Sequence, residues 1–149
     1  WEFYLYNLLE IQIDKLELPQ NSQLKYLESA FSIKNLESIA HLSQLEICLV
    51  RHSHALRLPY CWPKTCQNIS LWGPTLSNYR SFASCPSLKD FHLIVESVSK
   101  KELELLRPIL PSLSSFGIVI GSPSNPTSHM VQIGKDIVPT FSTFMNHIH

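Results

Sequence analysis

The chain has 149 residues, of which 44% are hydrophobic and 16% are charged, and its 12 basic and 12 acidic side chains cancel to a formal net charge of zero. This composition favours one folded domain over a disordered chain, and the neutral balance gives no electrostatic reason to expect a nucleic-acid or anionic-membrane partner. No run approaches the roughly 18 consecutive apolar residues that a bilayer-spanning segment needs. We therefore predict a folded protein with neither kind of partner.

A spaced apolar pattern recurs six times along the chain. In each copy a bulky apolar residue lies three positions before a second and five before a third, and Ser29 is the one exception. The starts of the copies are separated by 16, 21, 21, 22 and 25 residues. A period of roughly 20 to 29 residues is typical of stacked repeats. The copies are Leu8-Ile11-Ile13, Leu24-Leu27-Ser29, Leu45-Cys48-Val50, Cys66-Ile69-Leu71, Leu88-Phe91-Leu93 and Leu113-Phe116-Ile118.

The predicted elements follow from this pattern. Each triplet has the alternation of a strand of about three to five residues. Helical spacing follows the second triplet between Ile33 and Ala40, and the fifth between Leu103 and Leu110. We therefore predict an α/β solenoid over residues 1–121, with about six short parallel strands on the concave face and irregular helices or loops on the convex face.

Local signals refine the convex layer. Ser99 and Glu102 have the spacing of a capping box, and Pro108 and Pro111 stop or kink the helix that it begins. Residues 56–64 contain two prolines and no helical period, which predicts an irregular loop.

The C-terminal part departs from the repeats. Ser, Pro and Asn dominate residues 122–129, which predicts a turn-rich linker. Residues 130–149 carry spaced apolar side chains and are interpreted as a C-terminal cap on the last repeat or as a flexible tail.

The triplets, together with Cys85-Pro86-Ser87-Leu88-Lys89-Asp90-Phe91-His92-Leu93, resemble the irregular leucine-rich repeats of F-box/LRR proteins over roughly residues 5 to 121. The resemblance implies a protein-interaction module similar to the substrate-recognition half of a ubiquitin-ligase receptor. The family's asparagine ladder is missing, because its positions hold Leu16, Ser32, Ser53, Pro74, Glu96 and Gly121. The same pattern occurs in NB-LRR immune sensors, so a recognition region of that type, or a structural scaffold without enzymatic activity, stays open as an alternative.

A partner would meet side chains that lie between the buried positions of the concave strands. Aromatic residues and arginine are enriched among those that dominate binding energy. We therefore predict that a protein partner contacts Tyr26, Glu28, Arg51, Asn68, Trp72, Asp90 and His92. The alternative is structural, with Trp72 covering a neighbouring repeat and Arg51 pairing with Glu28.

Catalytic and metal chemistry find little support in the sequence. His52, His54, Cys61 and Cys66 are of zinc-ligand type, but their spacing fits no usual zinc motif. Asp90 and His92 lie two residues apart on one predicted strand face, and no nucleophile stands in a recognisable motif. We predict no enzymatic activity, no metal and no cofactor.

The setting of the chain is inferred from its cysteines and its first residue. Four cysteines are too few for a disulfide-dense module, and Cys48 and Cys66 occupy apolar repeat positions, which suits a cytoplasmic or nuclear location. The chain opens on Trp1 without an initiator Met, and we interpret it as a fragment. In an F-box setting, a Skp-type adaptor would bind only through a segment absent from this chain.

Overall fold

Two β-sheets organise the described part of the chain. The computed structural model describes residues 2–5, 12–15, 23–29, 32–51, 56–122 and 124–148, and for 2–5, 12–15 and 32–35 it describes the backbone alone. The first sheet has seven strands in the order β1-β3-β5-β7-β9-β10-β11. Its strands are β1 (Glu2–Leu5), β3 (Tyr26–Ser29), β5 (Ile47–Arg51), β7 (Asn68–Gly73), β9 (Asp90–Val95), β10 (Ser115–Ser122) and β11 (Asn125–Ile133).

The second sheet is smaller and wholly parallel. It has four strands in the order β2-β4-β6-β8, and these are β2 (Gln12–Lys15), β4 (Ser32–Asn35), β6 (Leu56–Arg57) and β8 (Leu76–Ser77). Each of them follows a strand of the first sheet in sequence, so the chain alternates between the sheets four times. The described residues therefore form an α/β protein with mostly parallel strands, few helices and no closed barrel.

The repeated triplets supply the core, as predicted for five of the six copies. The fifteen triplet residues from Leu24 to Ile118 are all buried, including Ser29, which is 2% exposed. Side chains of a strand alternate between its two faces, so the triplet residues point to the core while the residues between them point outward. The strands β3, β5, β7, β9 and β10 stack in register, which places Leu27, Cys48, Ile69, Phe91 and Phe116 in one row.

The first copy was assigned to the wrong strand. Its frame, Leu8-Ile11-Ile13, places a strand beside β3, but β2 (Gln12–Lys15) pairs with β4 in the second sheet. The place beside β3 belongs to β1, with Phe3 opposite Leu27. The spacing pattern does not reveal β1, because the first position of its triplet would precede residue 1. Ile13 satisfies the same apolar spacing although β2 lies in the second sheet.

The helices agree only partly with prediction. The capping box of α1 (Lys100–Glu104) is confirmed, because the Glu102 amide donates to Ser99 Oγ at 3.2 Å and the Ser99 amide donates to Glu102 Oε2 at 3.1 Å. The helical segment predicted between Ile33 and Ala40 is confirmed only in its second half, since Ser32–Asn35 form β4 and a 3₁₀ helix follows over Glu37–His41. Two further 3₁₀ helices span Tyr79–Ser84 and Arg107–Ser112.

Most of the predicted linker belongs to β-strands instead. Residues 125–129 begin β11, which pairs antiparallel with β10 and shifts register by one residue beside Gly121. Gly121 has φ +107°, a conformation that glycine adopts without strain, and a Cβ there would lie 2.8 Å from the Thr127 amide nitrogen. Polar turn residues predicted a loop here, but backbone pairing with β10 extends the strand.

A ten-residue helix, α2 (Ile137–Asn146), follows the hairpin. Pro139 lies in its first turn, where a backbone N–H has no helical partner to lose. Arg107 ties the helix to the preceding 3₁₀ segment, because its Nη1 donates to Ser142 Oγ at 2.9 Å while its Nε donates to Glu104 Oε2 at 2.7 Å. Among the described helices, none is long and apolar enough to cross a membrane.

An aromatic column runs through the core from the 56–64 segment to α2. Ring centroids are separated by 5.6 Å for Trp62 and Phe82, 4.5 Å for Phe82 and Phe91, 5.8 Å for Phe91 and Phe116, and 5.8 Å for Phe116 and Phe141. Edge-to-face and offset contacts at such distances stabilise a core beyond the area that they bury. The column joins the C-terminal helix to the repeats.

Candidate binding surface

One side of the seven-stranded sheet is open to solvent. We call it the front face, and define it by the side chains of β3, β5, β7, β9, β10 and β11 that point away from the core. All seven residues predicted to contact a partner lie on it, and Tyr26, Glu28, Asn68, Trp72, Asp90 and His92 are half-buried while Arg51 is exposed. Their position follows from the period of two along each strand. Whether they bind a partner stays a prediction.

Register decides which of these residues meet. Arg51 and Trp72 are direct neighbours on β5 and β7, and Asn68 and Asp90 are direct neighbours on β7 and β9. Tyr26 lies in the row of Asn68 but is separated from it by Ile47. The seven residues therefore form two adjacent pairs and three more widely spaced positions, rather than one cluster.

Arg51 and Trp72 stack on each other. The guanidinium carbon of Arg51 lies 3.7 Å from the centroid of the indole ring, which is a close cation–π contact. Trp72 thus packs against a side chain of the adjacent strand, which is one part of the structural alternative. The same contact favours one orientation of the guanidinium on the front face.

A depression lies beside this pair. It has a volume of ≈ 350 Å³ and is lined by Glu28, Ser29, Leu49, Val50, Arg51, Ser70 and Trp72. Its front-face side chains combine one cation, one carboxylate, the Ser70 hydroxyl and apolar surface from Leu49 and Trp72. Such a mixture suits an extended peptide or an exposed loop, because apolar contact supplies binding energy and the polar groups select orientation.

His92 makes a second local arrangement. Its Nε2 lies 3.3 Å from Ser115 Oγ on the adjacent strand. The imidazole also lies across Gly117, where an added Cβ would come within 2.7 Å of Nδ1. Any larger residue at position 117 would displace the ring, so glycine at this position leaves the space that the His92 side chain occupies. The sequence placed Asp90 and His92 on one strand face but did not predict the contact of His92 with Ser115, because only sheet register reveals the neighbour on the next strand.

The Ser115 and His92 pair has some features of an acyl-transfer site. A catalytic serine needs a base that is itself oriented, commonly by a carboxylate on its second nitrogen. Among the described residues, no hydrogen bond joins His92 Nδ1 to a carboxylate, and Gly117 lies against that nitrogen. The arrangement places a hydroxyl and an imidazole on a binding surface, and the absence of enzymatic activity remains a prediction.

The residues considered for zinc are dispersed. His52 and His54 lie outside the described residues, Cys61 is exposed, and Cys66 is buried in the core with Cys48 and Cys85. Within the described part of the chain, no three His, Cys, Asp or Glu side chains are grouped to hold a metal ion. Burial raises the pKa of the Cys48 thiol to about 12, so this thiol stays protonated and behaves as a small apolar side chain.

The front-face residues of β11 were not among the predicted contact residues. His129, Val131 and Ile133 are exposed on this strand, opposite Val119, Gly117 and Ser115 of β10. They escaped notice because residues 122–129 were interpreted as a linker and later residues as a cap. Alternation of Val131 and Ile133 with polar neighbours was the available signal for a strand.

Compared with protein-family models, curated proteins and solved structures, the chain has no match.

Proposed function

We propose that the chain is a leucine-rich repeat domain whose front face binds a protein partner, with Arg51 and Trp72 at the centre of the contact. The observation that carries this proposal is the stacked Arg51–Trp72 pair beside a depression of ≈ 350 Å³. Tryptophan and arginine are the types most often found where truncation costs an interface more than 2 kcal/mol.

The repeat assignment is supported by the way successive triplets pair. Five triplets are buried in equivalent positions, and the strands that carry them pair in parallel without a change of register. Repeats that contact only their neighbours generate such a row of equivalent strands, and their outward residues form an extended binding surface. In this proposal, the front face is the concave surface of the solenoid.

The chemistry of the front face favours a protein over other partners. Its described charged groups include Glu28, Arg51 and Asp90, so cations and carboxylates are mixed and no basic stripe exists for a nucleic-acid backbone. A partner segment with both apolar and polar side chains matches the lining of the depression. The resemblance of the repeats to those of F-box/LRR proteins supports a role of this chain in a ubiquitin-ligase receptor, and that role remains a proposal.

The test begins with site-directed capture. A photo-crosslinking amino acid replaces Ser70 in the depression, and a matched variant carries it at Ser77 on β8 in the second sheet. A partner bound at the front face is cross-linked from position 70 and not from position 77.

Affinity measurements with the captured partner complete the test. Arg51→Ala and Trp72→Ala are expected to weaken binding by about tenfold or more, equivalent to ~1.4 kcal/mol. The matched controls are Arg57→Ala, an exposed arginine that pairs with Glu37 in another part of the fold, and Tyr60→Ala, an aromatic residue 85% exposed. Unchanged binding by folded Arg51 and Trp72 variants would refute the assignment.

A further inference from the structure

The last strand of the seven-stranded sheet has a free edge. β11 pairs with β10 on one side, and none of the described strands covers its other side. The Ser115 amide donates to the Lys89 carbonyl at 3.1 Å, so the backbone groups of Ser115 are directed toward β9 and away from β11. Ser115 and Ile133 are therefore a non-hydrogen-bonded antiparallel pair, and because such pairs alternate with hydrogen-bonded ones, the backbone N–H and C=O groups of His129, Val131 and Ile133 point outward.

This edge lacks the usual protection against pairing. Natural edge strands are commonly interrupted by charged residues, prolines or bulges. From Ser128 to Ile133 the strand has no Lys, Arg, Asp, Glu or Pro, and its one bulge lies before this segment. Val131 and Ile133 are 60% and 75% exposed, among the most exposed large apolar side chains described. The segment therefore offers both unpaired backbone groups and apolar surface.

A groove lies between this edge and α2. It has a volume of ≈ 870 Å³ and is lined by residues 128–131 of the strand and, on and beside the helix, by Asp136, Pro139, Thr140, Thr143, Phe144 and His147. The helix has no charged side chain over Ile137–Asn146. Both walls of the groove are thus uncharged apart from Asp136 and the two histidines, and an approaching element meets little electrostatic repulsion.

We propose that this edge binds a second copy of the chain, with the two β11 strands pairing antiparallel about a twofold axis at Val131. In that register Val131 faces its own counterpart, while His129 faces Ile133 of the second copy on both sides of the axis. All three outward-facing residues then form hydrogen-bonded pairs, and the ladder has six interchain backbone bonds. The two seven-stranded sheets become continuous, and the two grooves bring the α2 helices together.

The C-terminal segment carries almost no net charge, which favours pairing with its own copy over binding a strongly acidic or strongly basic partner. Between residues 124 and 148, Lys135 and Asp136 are the only charged side chains besides the histidines, and they are adjacent and opposite in sign. An isologous contact places each surface against itself, so a net charge on it would repel. A neutral strand with apolar residues at its centre is complementary to its own copy. This inference is independent of the partner proposed for the front face.

The first experiment measures the mass of the chain in solution by sedimentation across a dilution series. The wild-type chain is expected to dimerise, and Val131→Lys is expected to raise the dissociation constant at least about tenfold, because it places like charges directly opposite each other. Tyr60→Lys is the matched control, since it replaces an 85% exposed aromatic residue elsewhere and leaves the dimer unchanged. A monomeric wild type, or an association that Val131→Lys does not weaken, would overturn the proposal.

The second experiment tests the register. Residues facing each other in a hydrogen-bonded antiparallel pair have Cα atoms about 5.5 Å apart, within the range that a disulfide spans. In a Cys61→Ser background, Val131→Cys is therefore expected to form an interchain disulfide under mild oxidation. Val138→Cys, an exposed position on α2 outside the groove, is the control and remains monomeric on a non-reducing gel. Cross-linking at position 138 but not at 131 would exclude this register.

Discussion

The contact between Phe116 and Phe141 makes a quantitative test of whether α2 belongs to the same folding unit as the repeats. Both side chains are 0% exposed, and their ring centroids lie 5.8 Å apart with an interplanar angle of 77°. Phe116→Leu and Phe141→Leu each remove part of a buried ring. We expect each to cost about 1 to 2 kcal/mol of unfolding free energy, less than the roughly 3 to 5 kcal/mol of a change to alanine.

The coupling between the two residues is the informative quantity. An edge-to-face pair contributes about 0.5 to 1.5 kcal/mol beyond burial, so the double variant should be more stable than the sum of the single changes predicts by that amount. Phe82→Leu combined with Phe141→Leu is the control, because these rings are not in contact in the column. That pair should be additive within about 0.5 kcal/mol.

Urea unfolding followed by far-UV circular dichroism and by tryptophan fluorescence provides the assay. The two signals should give one coincident transition for the wild type. Zero coupling between Phe116 and Phe141, or an earlier transition seen only by circular dichroism, would show that α2 unfolds separately and would refute the reasoning.

Three further predictions concern single side chains. Gly117→Ala should lower the free energy of unfolding in urea by about 0.5 to 1.5 kcal/mol, because its Cβ displaces the His92 ring. The same change should have no effect on stability in a His92→Ala background, and a loss that persists there would contradict the prediction. Ser81→Ala should lower the unfolding free energy by about 1 to 3 kcal/mol, because the buried Trp62 Nε1–H, which donates to Ser81 Oγ at 3.1 Å, would lose its partner. A loss below about 0.5 kcal/mol would count against this prediction. Burial raises the pKa of Cys48 from 9.0 to about 12, so the stability from its protonated thiol is complete below pH 9 and is lost as the pH rises toward 12. Between pH 8 and 10 the wild type should lose about 1.4 kcal/mol more than Cys48→Ala in urea unfolding, and equal losses would refute the assignment.

Hydrophobic spacing predicted the first sheet better than the second. Leu45-Cys48-Val50 and its successors became buried strands because a period of two leaves one face apolar wherever the strand lies. The short strands β4, β6 and β8 carry no comparable alternation. Their pairing depends on the neighbouring repeat, so Ile33 to Ala40 was interpreted as a helix.

The sequence predicted which face of the sheet carries the candidate contact residues, but it did not predict which of them are neighbours. The residues from Tyr26 to His92 were assigned to the outward side of their strands from sequence alone, and the structure places them there. Their neighbours depend on the register between strands, which brings Arg51 onto Trp72 and Ser115 to His92. No spacing along one strand contains that information.

The sequence by itself determined the repeat period, the buried triplets and the outward residues, because burial follows local alternation of apolar and polar side chains. The tertiary structure decided the second sheet, the β10–β11 hairpin and the packing of α2 against Phe116. These features depend on which distant segments pair. Backbone N–H and C=O groups are the same in nearly every residue, so the sequence does not show which strand each of them will bond. The free edge of β11 was likewise decided by the tertiary structure, because the order of strands determines which strand lies at the edge of the sheet.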